Sequence, residues 1–126
     1  MQLVPSSMCS YCNADEETPI HLFAECRYVR GVWGQIQDFF RCKVVLADLN
    51  PQSAILGWYQ EERISILKNQ ILLIFKMTLY KDREVGIYSL DRLINKLKMV
   101  RAIEYGINRN NEYNRMKWEP IITLVE

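Results

Sequence analysis

The sequence predicts an all-α chain built on about three long helices, and three observations carry that expectation. Apolar residues recur at spacings of three and four in several separate stretches. Glycine and proline are scarce, 5 and 4 of 126 residues, which disfavours a sandwich or barrel with many tight turns. Apolar side chains make up 49% of the chain and aromatic ones 11%, enough to fill a core and to argue against global disorder. The length suits one compact domain, or a small module attached to a helical one.

Taken in order, the first seventeen residues look like loop, with Pro5, Ser6 and Ser7 and then an acidic Asp15-Glu16-Glu17 run. Thr18 followed by Pro19 is a helix start, threonine as cap and proline at the first helical position. A short turn then carries His21, Leu22 and Phe23. A helix is expected over 27–41, where Val29, Val32, Trp33, Ile36, Phe39 and Phe40 recur at helical spacing and Gly31 and Gly34 weaken it slightly. Phe23, Trp33, Phe39 and Phe40 are assigned to packing.

The stretch 44–53, "VVLADLNPQS", is the expected hinge, because Asn50-Pro51 both ends and restarts structure, with a short helical turn after it for Ile55 and Leu56. A long helix follows over about 61–82. It is apolar on nearly every side between Ile71 and Tyr80, so it is expected to be the most buried element, with Leu73 in the core. Ser89 can cap a last long helix over 89–110, with Asp91 in its first turn and Leu90, Leu93, Leu97, Val100, Ile103 and Ile107 as one apolar stripe. The tail "MKWEPIITLVE" is expected to dock back on the helices through Trp118.

Three of the four cysteines and the only histidine fall in "CSYCNADEETPIHLFAEC", residues 9–26. Their spacing is Cys9-x2-Cys12-x8-His21-x4-Cys26. A tight Cys-x2-Cys turn chelates one ion and a distant His/Cys pair closes a tetrahedron, with no position left for water. One structural zinc ion is the expected occupant, since zinc takes tetrahedral sulfur and nitrogen ligands without redox chemistry. Buried unliganded cysteines are the plain alternative; a thioredoxin-like pair is disfavoured because no strand precedes it. Cys42 lies outside the spacing and is expected to be a core thiol. The expected organisation is a zinc-binding segment with its following helix over 1–47 and a helical region over 48–126.

No basic start followed by an apolar block opens the chain, and the run "ILLIFKMTLY" (71–80) is too short to cross a bilayer. The expectation is a soluble intracellular protein of cytoplasm and nucleus, with no membrane partner, where clustered cysteines favour metal over disulfides. Net charge is +1, so bulk charge announces no partner, but residues 92–117 carry seven basic side chains against Glu104 and Glu112.

At "ETPIHLFAECRYVRGVWGQI" (17–36) the sequence resembles the zinc-binding segment downstream of the polymerase in reverse transcriptases of LINE-type (non-long-terminal-repeat) retrotransposons. Cys9, Cys12, Glu17-Thr18, His21-Leu22-Phe23, Cys26 and Trp33 match that family's pattern. "AILGWY" (54–59) and "KLKMVRAIEYGINRNNEY…KW" (96–118) are similar to the far C-terminal region of such proteins, so the resemblance covers about residues 9–118. It implies a C-terminal piece of an RNA-directed DNA polymerase, or a domesticated stand-alone copy. The chain carries no Asp-Asp pair for two polymerase metals and no nuclease constellation, so by itself it is expected to catalyse nothing and to take no small-molecule substrate.

The resemblance implies a module that grips template RNA and/or target DNA during target-primed reverse transcription, with the rest of the reverse transcriptase as a further partner. Such a grip needs cations for phosphates and aromatic faces for unpaired bases. The candidates for phosphate are Arg92, Lys96, Lys98, Arg101, Arg109, Arg115 and Lys117. Tyr11, between the first two cysteines, is placed as zinc knuckles place a stacking aromatic, and Tyr105, Tyr113 and Trp118 are further candidates, Tyr105 and Trp118 being better suited to packing. A protein-interaction or scaffold module is the competing reading, favoured by the acidic Asp15-Glu16-Glu17 loop. Under that reading the partner is the polymerase domain or a host protein.

Overall fold

A computed structural model describes residues 8–58, 63–107 and 112–125. These residues are all-α: six α-helices, one π-helical turn and one 3-10 turn, with no strand and a single isolated bridge between Met8 and Glu16. None of their helices is long and apolar enough to cross a membrane.

Thr18 caps as expected, its hydroxyl accepting from the His21 backbone N–H at 3.1 Å. The π-helical turn His21–Glu25 follows, and then α1, Arg27–Phe40, which buries Val29, Val32, Trp33, Ile36 and Phe40. The 44–50 segment is packed down instead of hanging free. Val44 and Leu46 are buried, the Trp33 indole N–H donates to the Ala47 carbonyl at 3.0 Å, and Gln37 donates to the Leu46 carbonyl at 3.0 Å. Asn50 then caps α2, Pro51–Leu56, in a reciprocal pair of bonds with Ser53.

The two long helices are α3, Arg63–Lys81, and α4, Leu90–Ile107. Residues 61–62 and 108–110 of the expected spans lie outside the described residues. α3 supplies Leu67, Ile71, Leu72, Ile74, Phe75 and Leu79 to the core, and α4 supplies Leu93 and Leu97. The tail docks as expected: α5 (Glu112–Trp118), the 3-10 turn Glu119–Ile121 and α6 (Ile122–Val125) return to the bundle, burying Trp118 and Ile121. One apolar cluster runs from Cys9 and Tyr11 through α1 and α3 to Ile121, so the knuckle and the helices share a core.

Three packing expectations are corrected. Leu73 is 50% exposed. At about 100° per residue it shares with Ile66, Met77 and Tyr80 the face of α3 opposite Leu67, Ile71 and Phe75. A helix apolar all round does not say which side the bundle covers. Ile103 leaves the α4 stripe for the same reason, lying outside beside Met99. Cys42, just beyond the end of α1, is exposed.

Candidate metal centre

The Cys-x2-Cys turn is closed by backbone bonds, the Asn13 N–H to the Cys9 carbonyl and the Cys9 N–H to the Asp15 carbonyl, both 2.8 Å. Asn13 takes the left-handed conformation that lets the chain reverse, φ 56°, which asparagine tolerates better than most residues. The His-x4-Cys arm has its own device. In an α-helix, residues five apart point about 140° away from each other. Here the chain widens into a π turn, the Cys26 N–H reaching back to the His21 carbonyl at 2.6 Å, and residues 21 and 26 come round to the same side.

As a result Cys9, Cys12, His21 and Cys26 place their donor atoms within 4.8 Å of one another and can hold one metal ion. Cys9 Sγ lies 3.7 Å from Cys26 Sγ, and Cys12 Sγ lies 3.3 Å from His21 Nε2. Cys9 and Cys26 are wholly buried, and His21 nearly so. Burial pushes the Cys26 thiol up to about 12. Cys12 stands apart. Burial raises its thiol, but backbone bonds from Ala14 and Asp15 and the His21 ring outweigh that and lower it to about 6. A buried group of three sulfurs and an imidazole is the donor set of a soft or borderline cation. Four protein ligands leave it no open position for chemistry.

The knuckle is seated on the connection between α3 and α4. The Tyr11 hydroxyl donates to the Leu79 carbonyl at 2.5 Å. The Ser10 carbonyl would lie 2.9 Å from a Cβ at Gly86, whose φ is 76°. Glu17 pairs with Arg83 at 3.6 Å. Tyr28 on α1 donates to the Tyr88 carbonyl and accepts from the Tyr88 N–H, at 3.2 and 2.8 Å.

That seating corrects the role expected of Tyr11. It is 6% exposed, its ring stacks on Tyr28 at 5.2 Å, and burial raises its phenol further above the usual range. No base can stack there.

Of the cations expected on phosphate, two are hydrogen-bonded to other side chains of the protein. Lys117 has a side chain only 9% exposed and donates to Gln70 and to Glu104, which also accepts from the Trp118 indole. Arg92 holds both oxygens of Asp82, at 2.7 and 2.8 Å. Arg115 is exposed, with Glu112 at 3.8 Å. Arg109 lies outside the described residues, as does the side chain of Tyr113. Lys96, Lys98 and Arg101 have no carboxylate partner among the described residues. They divide between two faces of α4. Lys96 lies with Met99 in a cleft shared with Met77 and Lys81. Arg101 lies 5.5 Å from the ring of Tyr105, which is 56% exposed instead of packed, with Lys98 on the same side. Trp118 is buried, as expected of a docking residue.

Sequence reasoning passed over Arg27 and Arg30. Both are exposed on the first turns of α1, just after Cys26, and line a cleft of about 360 Å³. Their spacing of three on a helix that begins at a ligand cysteine was the available signal.

Compared with protein-family models, curated proteins and solved structures, the chain matches none.

Proposed function

We propose that the chain is a non-catalytic nucleic-acid-binding module stapled by one structural zinc ion. On this reading it belongs to the C-terminal region of a LINE-type reverse transcriptase and holds template RNA or target DNA during target-primed reverse transcription. Zinc is favoured by the donor set and by the 3.7 Å separation of Cys9 and Cys26. A tetrahedral ion with metal–sulfur bonds of about 2.3 Å sets its sulfurs about 3.8 Å apart.

The observation that carries the nucleic-acid reading is the group on one side of α4, where Lys98 and Arg101, without carboxylate partners among the described residues, lie in line with exposed Tyr105. It offers charge for phosphates and a ring for an unpaired base. Lys98→Ala with Arg101→Ala should weaken single-strand binding and flatten the salt slope by about 1.4. Tyr105→Ala should weaken single strands by about 1–3 kcal/mol and duplexes little. Unchanged affinity in both variants, with the helical signal and metal content intact, overturns the assignment of this face.

A second reading is supported by the other face. Leu73, Met77, Met99 and Ile103 are each at least half exposed, with Lys81 and Lys96 beside the methionines. An apolar, methionine-containing surface of this kind suits docking on the polymerase domain or a host protein. Met77→Glu with Met99→Glu should then abolish association with the rest of the reverse transcriptase and leave RNA binding unchanged.

A further inference from the structure

The cleft at the start of α1 has a composition that a solvated face does not explain. Its rim carries Arg27 and Arg30, one helical turn apart, and neither has a carboxylate partner among the described residues. Phe23 and Trp33 form its apolar wall, and Gln37, two turns further along α1 than Arg30, and Asp48 complete its polar lining. Two of these groups are already committed. The Trp33 indole N–H is used on the Ala47 carbonyl, and Gln37 Nε2 donates to Asp48 Oδ1 at 2.9 Å. Gln37 therefore orients the Asp48 carboxylate, whose other oxygen accepts nothing among the described residues. The arginines are positioned as well: the Arg30 N–H bonds the carbonyl of the ligand Cys26 at 2.9 Å, so the metal knuckle fixes the turn that bears them.

We propose that this cleft takes one unpaired nucleotide of a single strand, with Arg27 and Arg30 on its phosphate and Asp48 accepting from an amino-bearing base. The inference rests on the nucleic-acid reading above and assigns it a second, separate contact. About 360 Å³ falls within the range usual for sites that hold a small organic group. Paired guanidinium groups suit a phosphate's several oxygens. A carboxylate in the same cleft disfavours a simple polyanion or an acidic peptide, either of which would set negative charge against Asp48. A nucleotide satisfies both ends, since adenine, cytosine and guanine each carry an exocyclic amino donor and uracil carries none.

The test uses the full chain with its metal bound and fluorescent 12-nucleotide oligo(A), oligo(C) and oligo(U) RNAs in anisotropy titrations. The wild-type protein should prefer oligo(A) and oligo(C) over oligo(U). Arg27→Gln with Arg30→Gln should flatten the log–log salt slope by about 1.4, so that lowering salt from 0.2 to 0.05 M gains about sevenfold less affinity than in wild type. Both side chains are exposed, so metal content and helical signal should be unchanged. Asp48→Asn should abolish the base preference and leave the salt slope unchanged. If the arginine pair can be removed without effect while Lys98→Ala with Arg101→Ala weakens binding, this inference falls and the nucleic-acid reading stands. A wild-type chain that binds none of the three RNAs overturns this inference, and one that binds no DNA either overturns both. A base preference that survives Asp48→Asn overturns the role of that carboxylate.

Discussion

Tyr11→Phe separates a core role from a binding role at one atom. The last carbonyls of α3 need partners from outside the helix. The Thr78 carbonyl has the Asp82 N–H, the Tyr80 carbonyl has the Arg83 N–H, and the Leu79 carbonyl has the Tyr11 hydroxyl. Deleting that hydroxyl leaves a buried carbonyl unpaired, at a cost of about 1–3 kcal/mol. Tyr11→Ala also removes the ring from its stack on Tyr28 and should cost about 3–5 kcal/mol, as truncation of a buried aromatic does. The assay is urea unfolding followed by circular dichroism, with the metal site saturated. At a slope of about 2 kcal/mol per molar, a loss of about 2 kcal/mol moves the midpoint down by about 1 M with the slope unchanged. Affinity for single strands should not change in Tyr11→Phe. An unmoved midpoint in both variants together with a loss of single-strand binding in Tyr11→Ala would refute the core assignment and return Tyr11 to the surface.

Elemental analysis should find one metal ion per chain. Cys26→Ser should lose it and unfold the 8–26 segment, with the α3 and α4 helical signal largely retained. Phe75→Ala should cost about 3–5 kcal/mol in denaturant titrations, and Leu73→Ala, half exposed on the outer face of α3, less than about 1 kcal/mol. Glu104→Ala strips a partner from both Lys117 and the Trp118 indole and should cost about 1–3 kcal/mol by thermal unfolding. Arg92→Gln breaks a pair whose arginine side chain is 57% exposed and should cost less than about 1 kcal/mol in the same assay.

What was legible in the sequence was local. The four-ligand spacing, the cap at Thr18, the break and restart at Asn50-Pro51 and the helical repeat of α1 are each set over a short stretch of chain, and each appears where expected. What was not legible depends on partners far away along the chain. Tyr11 lies in a cysteine turn, as a stacking residue would, and only Tyr28 together with Leu79, 68 residues on, makes it a core residue. Lys117 counts as one more cation in a basic stretch until Glu104 and Gln70 enclose it. Leu73 and Ile103 show the converse. Where a helix is apolar on several sides, periodicity identifies the helix and leaves its rotation to the neighbours. The π turn at His21–Glu25 has no propensity signal, but the five-residue ligand spacing demands some such widening.

Connections between helices are ordinarily where chain length drifts freely over evolutionary time. The segment 82–89 is denied that freedom. Ser10 presses on Gly86, Glu17 faces Arg83, and Tyr28 brackets Tyr88 with two bonds. An insertion there would unseat the cysteine turn while leaving every ligand in place in the sequence. Descendants of this chain should therefore keep the length of that short link as strictly as they keep their cysteines. The ligand spacing is thus only half of the metal site's heredity; the other half is written in a stretch without a single cysteine or histidine.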